Sequence, residues 1–508
     1  MAMHVFIKVG LQLFSTWIIY LLLQVIYRLK YHPLAKFPGP RLAAVTMMYA
    51  GWYDLPFASS FCKQLPRLHD DYGPIVRIRP NELHIRDMDS FRQVYRLGTP
   101  FKKYPGFYNA YVIDGSFFNI HETKAVKPIK DMYSPHFSRA AIQKLEGVIH
   151  AKITKLLNAL HMASQESKVV DLTLAFKCLT ADVVMEYCYQ RNFGALDATD
   201  FHFKIIEDME GLFGTASYTW YFPNTFNLLC RILEHAPVSV TKVVAKPLAA
   251  SFEIYKGCQE RIATLQRTTL DPSVPSIFQT ALLPEPKKGR STPALKELTA
   301  DALVFFGAGT DTTAHALATG TWYLLQNPAI LTRLRQELCN AIVDADSSTM
   351  LSWVELEKLP FLRAVIKESL RLSFGVPGRL PRVVPENGAV FCGQEIPPNT
   401  VISHSAYAYH MSDQYFPEAK AFKPDRWLGP GSVERERYML SFSAGSRGCL
   451  GINLAYAELF TTFAYLFRKF DLEVFNTTEH DINWHDCYTP ATFGHLKVRL
   501  NRVVGEKQ

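Results

Sequence analysis

The first forty residues contain one long apolar run and then a turn-forming segment. Residues 9–27 carry no charge and include Trp17, Ile18 and Leu21. About 20 apolar residues suffice to cross the hydrocarbon core of a membrane, so this run predicts a transmembrane anchor. A signal peptide is the alternative, but its apolar stretch is shorter and ends at a cleavage site of small residues. Arg28 follows at once, which favours an uncleaved anchor.

The flanks of this run predict its orientation and its boundary. Lys8 alone precedes the run, whereas four basic residues follow it, Arg28, Lys30, Lys36 and Arg41. Since basic flanks tend to stay on the cytosolic side, the bulk of the chain is expected in the cytosol. Prolines at 33, 38 and 40 argue against a continuing helix and predict a stiff, extended connector over 28–41. Residues 42–508 are then expected to form one catalytic domain.

Beyond the connector, hydrophobic and polar residues first alternate and then follow the spacing that is typical of helices. Val76 and Ile78, then Leu83 and Ile85, flank Pro80-Asn81, which predicts a small β-hairpin. Apolar spacings of three and four residues predict helices over 140–160, 296–325, 328–344, 362–372 and 450–470. Short strands are expected near 382–384, 389–392, 400–402 and 496–500, and a polar surface loop over 271–293. The predicted class is mainly α with a minor β part.

Composition narrows the class of protein. The chain has 508 residues, of which 48% are hydrophobic, and a formal net charge of +8. No dense basic run or zinc-finger spacing is present, so nucleic-acid binding is not expected. A basic face for an acidic protein partner or for anionic lipid fits better. The nine cysteines form no CxxC pair, which is typical of a reducing compartment rather than of a disulfide framework.

Cys449 stands in the most distinctive segment, Phe-Ser-Ala-Gly-Ser-Arg-Gly-Cys-Leu-Gly over 442–451. The glycines permit a tight loop. The predicted helix behind the loop offers free N–H groups, which lower the pKa of a thiol and stabilise its thiolate. Arg447 adds a positive charge that can pair with an acidic cofactor group. A lone cysteine beside glycines is more often structural, so these residues alone leave both interpretations open.

This segment resembles the haem-binding loop of the cytochrome P450 family, with all five characteristic positions filled. The resemblance implies the cytochrome P450 fold and haem b as cofactor. It also implies that Cys449 is the axial iron ligand, that Phe442 shields the sulfur, that Arg447 contacts a propionate and that Gly451 leaves room beside the porphyrin. An axial thiolate pushes electron density onto iron and favours O–O cleavage.

Two further motifs support the resemblance. Glu368 and Arg371 share a predicted helix face, as in many ordinary surface pairs. Pro-Asp-Arg-Trp follows at 424–427, and the family combines these motifs in a buried structural network, here Glu368, Arg371 and Arg426. Ala-Gly-Thr-Asp-Thr-Thr at 308–313 resembles the oxygen-activation groove of the family. Thr312 and Asp311 are then the catalytic pair that delivers protons, although packing alone can also explain a threonine-rich helix.

One position departs from the family pattern. Aligned on Phe137, the positions where the family often has Trp or His and then Arg hold Val126 and Lys130. A lysine supplies the charge without the bidentate fork, so we expect Lys130 to face a propionate and hold it less firmly. Arg382 resembles the strand arginine that meets a propionate. His410 also matches a family histidine, and a packed core histidine is an equal alternative.

The family's substrate-contacting regions correspond to apolar positions of this chain. They predict a distal pocket formed by Phe117, Phe118, Phe305, Phe306, Val376 and Phe493. No charged residue is an evident substrate anchor, so a neutral hydrophobic substrate of terpenoid or polyketide type is expected.

The resemblance covers about residues 31–500 and is nearest to fungal members of secondary metabolism, loosely those similar to trichodiene oxygenase. It implies a monooxygenase that uses O₂ in the endoplasmic reticulum membrane, single-pass and facing the cytosol. Electrons are expected from a separate NADPH-dependent flavoprotein reductase, because the chain has no GxGxxG fingerprint. Two alternatives stay open. One is a non-oxidative haem-thiolate isomerase or dehydratase, a class that often lacks the Asp-Thr pair, and the other is a non-catalytic haem carrier.

Overall fold

The computed structural model describes residues 2–55, 60–109, 113–267, 276–283, 292–344, 347 and 349–503. Within these ranges the fold is mainly helical with a minor β part, as predicted. The helices are α1 Ala2–Ile26, α2 Arg41–Val45, α3 Met48–Asp54, α4 Leu65–Tyr72, α5 Met88–Val94, α6 Pro105–Tyr108, α7 Thr123–Tyr133, α8 Arg139–Gln165, α9 Leu172–Tyr189, α10 Lys204–Phe213, α11 Ala216–Tyr221, α12 Pro223–Glu234, α13 Val238–Val244, α14 Lys246–Leu265, α15 Ile277–Ala281, α16 Leu295–Leu325, α17 Pro328–Ala341, α18 Trp353–Leu356, α19 Pro360–Ser373, α20 Ala406–His410, α21 Ser432–Glu436, α22 Ile452–Lys469 and α23 Glu479–Ile482.

The strands are short and belong to four small sheets. They are β1 Ile75–Arg79, β2 Glu82–Ile85, β3 Lys102–Lys103, β4 Val169–Asp171, β5 Arg382–Val383, β6 Ala389–Phe391, β7 Gln394–Ile396, β8 Val401–Ser403, β9 Phe470–Val474, β10 Trp484–Cys487, β11 Thr489–Thr492 and β12 Lys497–Val503. The largest sheet has the order β1-β2-β8-β5-β3. Ile75 pairs with Ile85 across β1 and β2, which confirms the predicted hairpin.

Helix α1 is exposed along its length, and the stretch Phe6–Tyr31 is long and apolar enough to cross a membrane. The helix does not end at residue 27 but continues as one π-helical turn over Tyr27–Tyr31. The start of the predicted extended connector is therefore helical. The helix stops at His32, because Pro33 cannot donate a backbone hydrogen bond.

Helix α16 runs through the middle of the main hydrophobic core and packs against α9, α14, α19 and α22. Its apolar circumference explains this burial, as the sequence predicts. One prediction needs correction, because part of the expected surface loop over 271–293 is a short buried helix. In α15, Ile277 and Phe278 are fully buried, and Ser276 accepts a hydrogen bond from the Gln279 amide as N-cap. The remainder of that segment lies largely outside the described residues.

Candidate active site

A cavity of about 280 Å³ lies between α16, the loop over 442–451 and the end of α19. Apolar side chains form much of its wall, among them Val184, Val304, Leu370, Leu380 and Leu454. The polar groups that reach it include the Cys449 thiol, the Thr312 hydroxyl and a group of basic side chains. A largely apolar cavity with a few converging polar groups is typical of a small-molecule site.

The loop over 442–451 presents Cys449 to this cavity. Gly445 has a φ of +65°, and a Cβ added to it would lie 2.1 Å from the Tyr95 carbonyl oxygen. Only glycine therefore fits at this turn. The Cys449 amide donates to the Phe442 carbonyl oxygen at 2.9 Å, which closes the loop directly before α22. The Cys449 side chain therefore faces the cavity and is shielded from bulk water by its walls.

The Cys449 thiol is less acidic than the sequence predicts. Burial raises its pKa, and the smaller lowering effects of the Gly451 amide and the Lys130 ammonium do not offset this. The helix start acts in the expected direction, but desolvation outweighs it. A bound metal cation reverses the balance, because a coordinating thiol loses its proton outright.

Glu368 lies fully buried at the centre of an ion network next to this loop. Its carboxylate accepts from Arg371 Nε and Nη2 at 2.9 and 2.8 Å and from Arg426 Nε at 3.0 Å. The Lys423 amide and the Trp427 indole donate to the same carboxylate at 2.8 and 2.9 Å. Burial alone would raise the pKa of Glu368, but these bonds and charges lower it overall. As the sequence predicts, the structure brings together Glu368, Arg371 and Arg426. We call these three residues the Glu368 network.

His410 joins the Glu368 network to the cysteine loop. Its Nδ1 contacts the Arg371 carbonyl oxygen at 2.8 Å, and its Nε2 accepts from the Leu440 amide at 2.9 Å. Because an amide can only donate, Nε2 carries no proton and Nδ1 is the donor. Burial, with the charge of Arg371, lowers the pKa of His410 to about 3. It is therefore a neutral core histidine, the second of the two interpretations.

The predicted catalytic pair, Thr312 and Asp311, has two different environments. The Thr312 hydroxyl lines the cavity and donates to the Ala308 carbonyl oxygen at 2.7 Å. Asp311 does not line the cavity, and its carboxylate lies 3.1 Å from Lys177 Nζ on α9. Lys177 also pairs with Glu210 at 2.6 Å. This ion pair could not be predicted from the sequence pattern, because its members belong to different helices that are far apart along the chain.

Helices α9 and α16 approach each other closely beside this pair. A Cβ added to Gly309 would lie 2.8 Å from Val184 Cγ2, so the glycine permits the contact. The Thr180 hydroxyl of α9 donates to the Thr310 carbonyl oxygen at 2.8 Å. A threonine of the neighbouring helix, in addition to those of α16 itself, therefore bonds the α16 backbone here.

Four basic side chains line one part of the cavity, and we call them the cation cluster: Lys103, Lys130, Arg382 and Arg447. In the part of the chain that the structure describes, no carboxylate lies within ion-pair distance of any of them. Lys130 donates to the carbonyl oxygens of Ser446 and Gly448 at 2.9 and 3.1 Å. Arg382 donates to the Tyr108 hydroxyl at 3.0 Å.

Arg447 and its neighbours fit a carboxylate-bearing cofactor. Arg447 donates to the carbonyl oxygens of Phe117, Ile120 and Glu122, but its buried Nε has no partner among the described residues. Buried charges are normally paired, so the unmatched positive charge of the cation cluster calls for an anion. The propionates of haem are anions of this kind. These residues therefore fit haem.

The predicted substrate residues do not all reach the cavity. Phe117, Phe118, Phe305 and Val376 line it, and Phe305 packs among Phe117, Tyr133 and Phe137. Two predictions of pocket residues need correction, those for Phe306 and Phe493.

Phe306 is one helix position on from Phe305 and is therefore rotated away from the cavity, with its ring 5.4 Å from that of Phe193. Phe493 lies outside, 38% exposed, and stacks on His480 and His485. Neither ring is part of the cavity wall.

Sequence reasoning also missed two residues that line the cavity, Lys103 and Glu458, and one that supports its wall, Asp301. Glu458 of α22 lines the cavity, and burial raises its pKa well above the ordinary value. Asp301 accepts from the Phe117 amide at 2.7 Å and from the Tyr133 hydroxyl at 2.8 Å, and burial raises its pKa to about 7. An acidic residue within an apolar helix, the signal used for Asp311, also marks Asp301.

Comparison with known proteins identifies the family. The family described as Cytochrome P450 matches residues 38–490. Cytochrome P450 monooxygenase sdnE of Sordaria araneosa is 34% identical over 93% of this chain and 94% of its own length. Conidiogenone synthase PchP450 of Penicillium rubens is 32% identical, over 94% and 96%. Cytochrome P450 monooxygenase TRI4 of Trichoderma arundinaceum is 31% identical, over 92% and 89%.

These relatives confirm the predicted resemblance to fungal members of secondary metabolism and the predicted monooxygenase class. They match the chain over almost its whole length, and the family implies a haem cofactor and electrons from a reductase. The chain belongs to the cytochrome P450 family and is a monooxygenase of that family.

Proposed function

We propose that this protein hydroxylates or epoxidises a neutral, hydrophobic small molecule of terpenoid or polyketide type in fungal secondary metabolism. The observation that carries the proposal is one apolar cavity at which Cys449, Thr312 and an aromatic wall meet. Among the described residues lining it, the charged or acidic groups are the four cations and Glu458, and burial raises the pKa of Glu458 well above its ordinary value. These cations are proposed to serve the haem and the cysteine loop, so no ionic partner is assigned to a substrate against the aromatic wall, which favours a neutral molecule.

Haem b is the proposed cofactor. Cys449 would ligate its iron, with Phe442 and Gly451 beside the sulfur, and Arg382, Arg447 and Lys130 would lie on the side of the propionates. When bound, the haem supplies oxygen activation at an iron whose axial thiolate favours O–O cleavage. Phe442 packs against Tyr456, with 5.4 Å between ring centroids, and so helps to keep water away from the sulfur.

Thr312 is the proposed proton donor at the cavity. Its hydroxyl proton is held on the Ala308 carbonyl oxygen at 2.7 Å, so a rotation about its side chain presents that proton to the cavity. Asp311, together with water, is the proposed relay, which must take up a proton before it passes one on to Thr312. Lys177 holds the Asp311 carboxylate at 3.1 Å, which makes release of Asp311 from Lys177 part of proton delivery. The presence of this pair argues against the non-oxidative alternative.

The membrane and the reductase complete the proposal. The stretch Phe6–Tyr31 can cross a membrane by length and composition, and the basic residues that follow it favour a cytosolic domain. We therefore place the protein in the endoplasmic reticulum membrane, single-pass, with an NADPH-dependent flavoprotein reductase as electron donor. Asn476-Thr477-Thr478 is a glycosylation sequon in this domain, and glycan on Asn476 would contradict this orientation.

The experiment joins product analysis to reconstitution. Deleting the gene should cause a hydrophobic precursor to accumulate, and that precursor is then supplied to the purified enzyme with reductase, NADPH and O₂. Wild type should form product in proportion to NADPH consumed. Thr312→Ala should consume NADPH but release peroxide in place of most of the product, because proton delivery is misplaced.

Cys449→Ser should lose both turnover and the red-shifted absorption of the reduced carbon monoxide complex. Cys339→Ser, which alters an exposed cysteine on α17, is the matched control and should keep both. Unchanged coupling in Thr312→Ala would remove Thr312 from proton delivery. A Cys449→Ser variant that retained the absorption band would exclude Cys449 as the ligand.

A further inference from the structure

Lys103 is a buried cation that lies beside a second buried cation. Strand β3 pairs antiparallel with β5, and Lys103 is directly opposite Arg382. Residues directly opposite each other in such a pair have their side chains on one face, about 4.5–5.5 Å apart at Cβ. Lys103 is 5% exposed and Arg382 2%. Like charges in this arrangement destabilise a sheet, and burial away from water increases the cost.

The contacts of Lys103 compensate only part of its charge. Its ammonium donates to the Phe118 carbonyl oxygen at 2.7 Å. The same nitrogen lies 3.8 Å from the centroid of the Phe118 ring and 4.2 Å from that of Tyr108. Burial, then the charges of Arg382 and Arg447, lower the pKa of Lys103 well below its ordinary value. The protein alone therefore holds Lys103 where a positive charge is unfavourable.

Lys130 belongs to the same cation cluster, but its ammonium group has different hydrogen-bond partners. Two of its three N–H groups are used by the carbonyl oxygens of Ser446 and Gly448. These carbonyls belong to the cysteine loop, so Lys130 supports the backbone of that loop. Lys103 has no such contact with the loop, and its side chain also borders the cavity.

We propose that Lys103 is a haem-binding residue, which together with Arg382 neutralises a haem propionate, while Lys130 chiefly holds the cysteine loop. The proposal rests on the haem cofactor that the family implies. A carboxylate between two opposed cations converts a repulsive pair into charge-assisted hydrogen bonds. Lys103 then supplies charge on the side where Val126 and Lys130 replace the aromatic and arginine side chains common in the family.

The test compares two lysine variants with two forms of the cofactor. Three full-length proteins are compared, the wild type, Lys103→Met and Lys130→Met. Each is loaded with haem or with haem dimethyl ester, whose propionates are methyl esters and carry no charge. Transfer of the cofactor to excess apomyoglobin gives its rate of loss. Resonance Raman spectra of the haem-loaded proteins give the propionate-bending band, which responds to hydrogen bonding of the propionates.

With haem, Lys103→Met should lose the cofactor about tenfold faster than wild type, because a charge-assisted contact is removed. With the dimethyl ester, the same two proteins should differ by less than about twofold, because no carboxylate is left to bind. Lys130→Met should speed the loss of both cofactors by a similar factor. The propionate-bending band should shift in Lys103→Met and stay in place in Lys130→Met.

Equal acceleration of both cofactors in Lys103→Met would overturn the proposal, as would an unshifted propionate band. If Lys103→Met does not fold, Lys103→Gln is the second variant, because glutamine can keep the bond to Phe118 without the charge. Failure of both variants to fold would assign Lys103 a structural role and also overturn the proposal. Failure of the wild type to bind haem at all would instead contradict the haem site itself, so the two failures are distinguishable.

Discussion

Two groups of charged side chains lie in or next to the cysteine loop, and they are organised in opposite ways. In the Glu368 network one carboxylate receives donors from both arginines, an amide and an indole. In the cation cluster four basic side chains converge on a cavity without a carboxylate partner among the described residues. The first group balances its charge within the protein, whereas the second leaves an excess of positive charge.

The difference separates structural charge from ligand-binding charge. A buried network that satisfies itself holds the backbone and gains nothing from a further ion. A buried group with unmatched charge is unfavourable until an ion of opposite charge binds. Binding removes the cost of the unpaired charge, and this relief adds to the binding free energy of that ion. Sequence motifs indicate the Glu368 network and three members of the cation cluster, but they do not distinguish these two roles.

The largest effect is expected from breaking the self-contained group. Glu368→Gln leaves two buried guanidinium groups without their carboxylate and should lower the free energy of unfolding by about 3–5 kcal/mol. Urea denaturation of the haem-loaded enzyme measures the change. Glu357→Gln is the matched control, because Glu357 forms an exposed pair with Arg139 and should leave the urea midpoint unchanged. Similar midpoints for the two variants would contradict a buried network.

A smaller effect is expected at the paired charges of the central helix. Lys177→Met leaves the buried Asp311 carboxylate without its cation, which should cost about 1–3 kcal/mol in unfolding free energy. Glu210 contributes little to this figure, because its side chain is about one-third exposed and solvent screens it. Lys168→Met, which removes an exposed pair with Glu166, is the control. An unchanged urea midpoint in Lys177→Met would show that Asp311 does not depend on Lys177.

The smallest effect concerns pH and His410. Its pKa of about 3 in the folded protein lies below the unfolded value of 6.5, so the unfolded state binds a proton first as the pH falls. Stability is thus fully present above pH 6.5 and is lost below it, by about 1.4 kcal/mol per pH unit for this one group. Urea midpoints from pH 7 to 5 should fall, and less steeply in His410→Gln. Parallel slopes in the two proteins would exclude His410 as a contributor.

The sequence predicted the cysteine loop, the Glu368 network and the central helix because each is recorded in a short motif or a strong period. It failed where a contact joins distant segments. Lys177 meets Asp311 across two helices, and Lys103 meets Arg382 only through strand pairing. It also misplaced Phe306, because one position along a helix turns a side chain by about 100°. The pKa of the Cys449 thiol was also predicted in the wrong direction, because the sequence indicates the helix start but not the degree of burial.

The contacts at the end of α1 bear on the orientation that the domain would have in the proposed membrane-bound state. Arg77, buried in β1, donates to the Arg28 carbonyl oxygen at 2.8 Å, Arg28 itself bonds the Val45 carbonyl oxygen, and His32 contacts Asn81 at 2.9 Å. These contacts attach the junction firmly to the domain, so in the proposed membrane-bound state the tilt of the domain would follow the tilt of the helix. A variant that lacks the residues up to Ile26 keeps these contacts. A variant that lacks the residues up to Tyr31 loses the Arg28 carbonyl oxygen, which accepts a hydrogen bond from the buried Arg77 guanidinium.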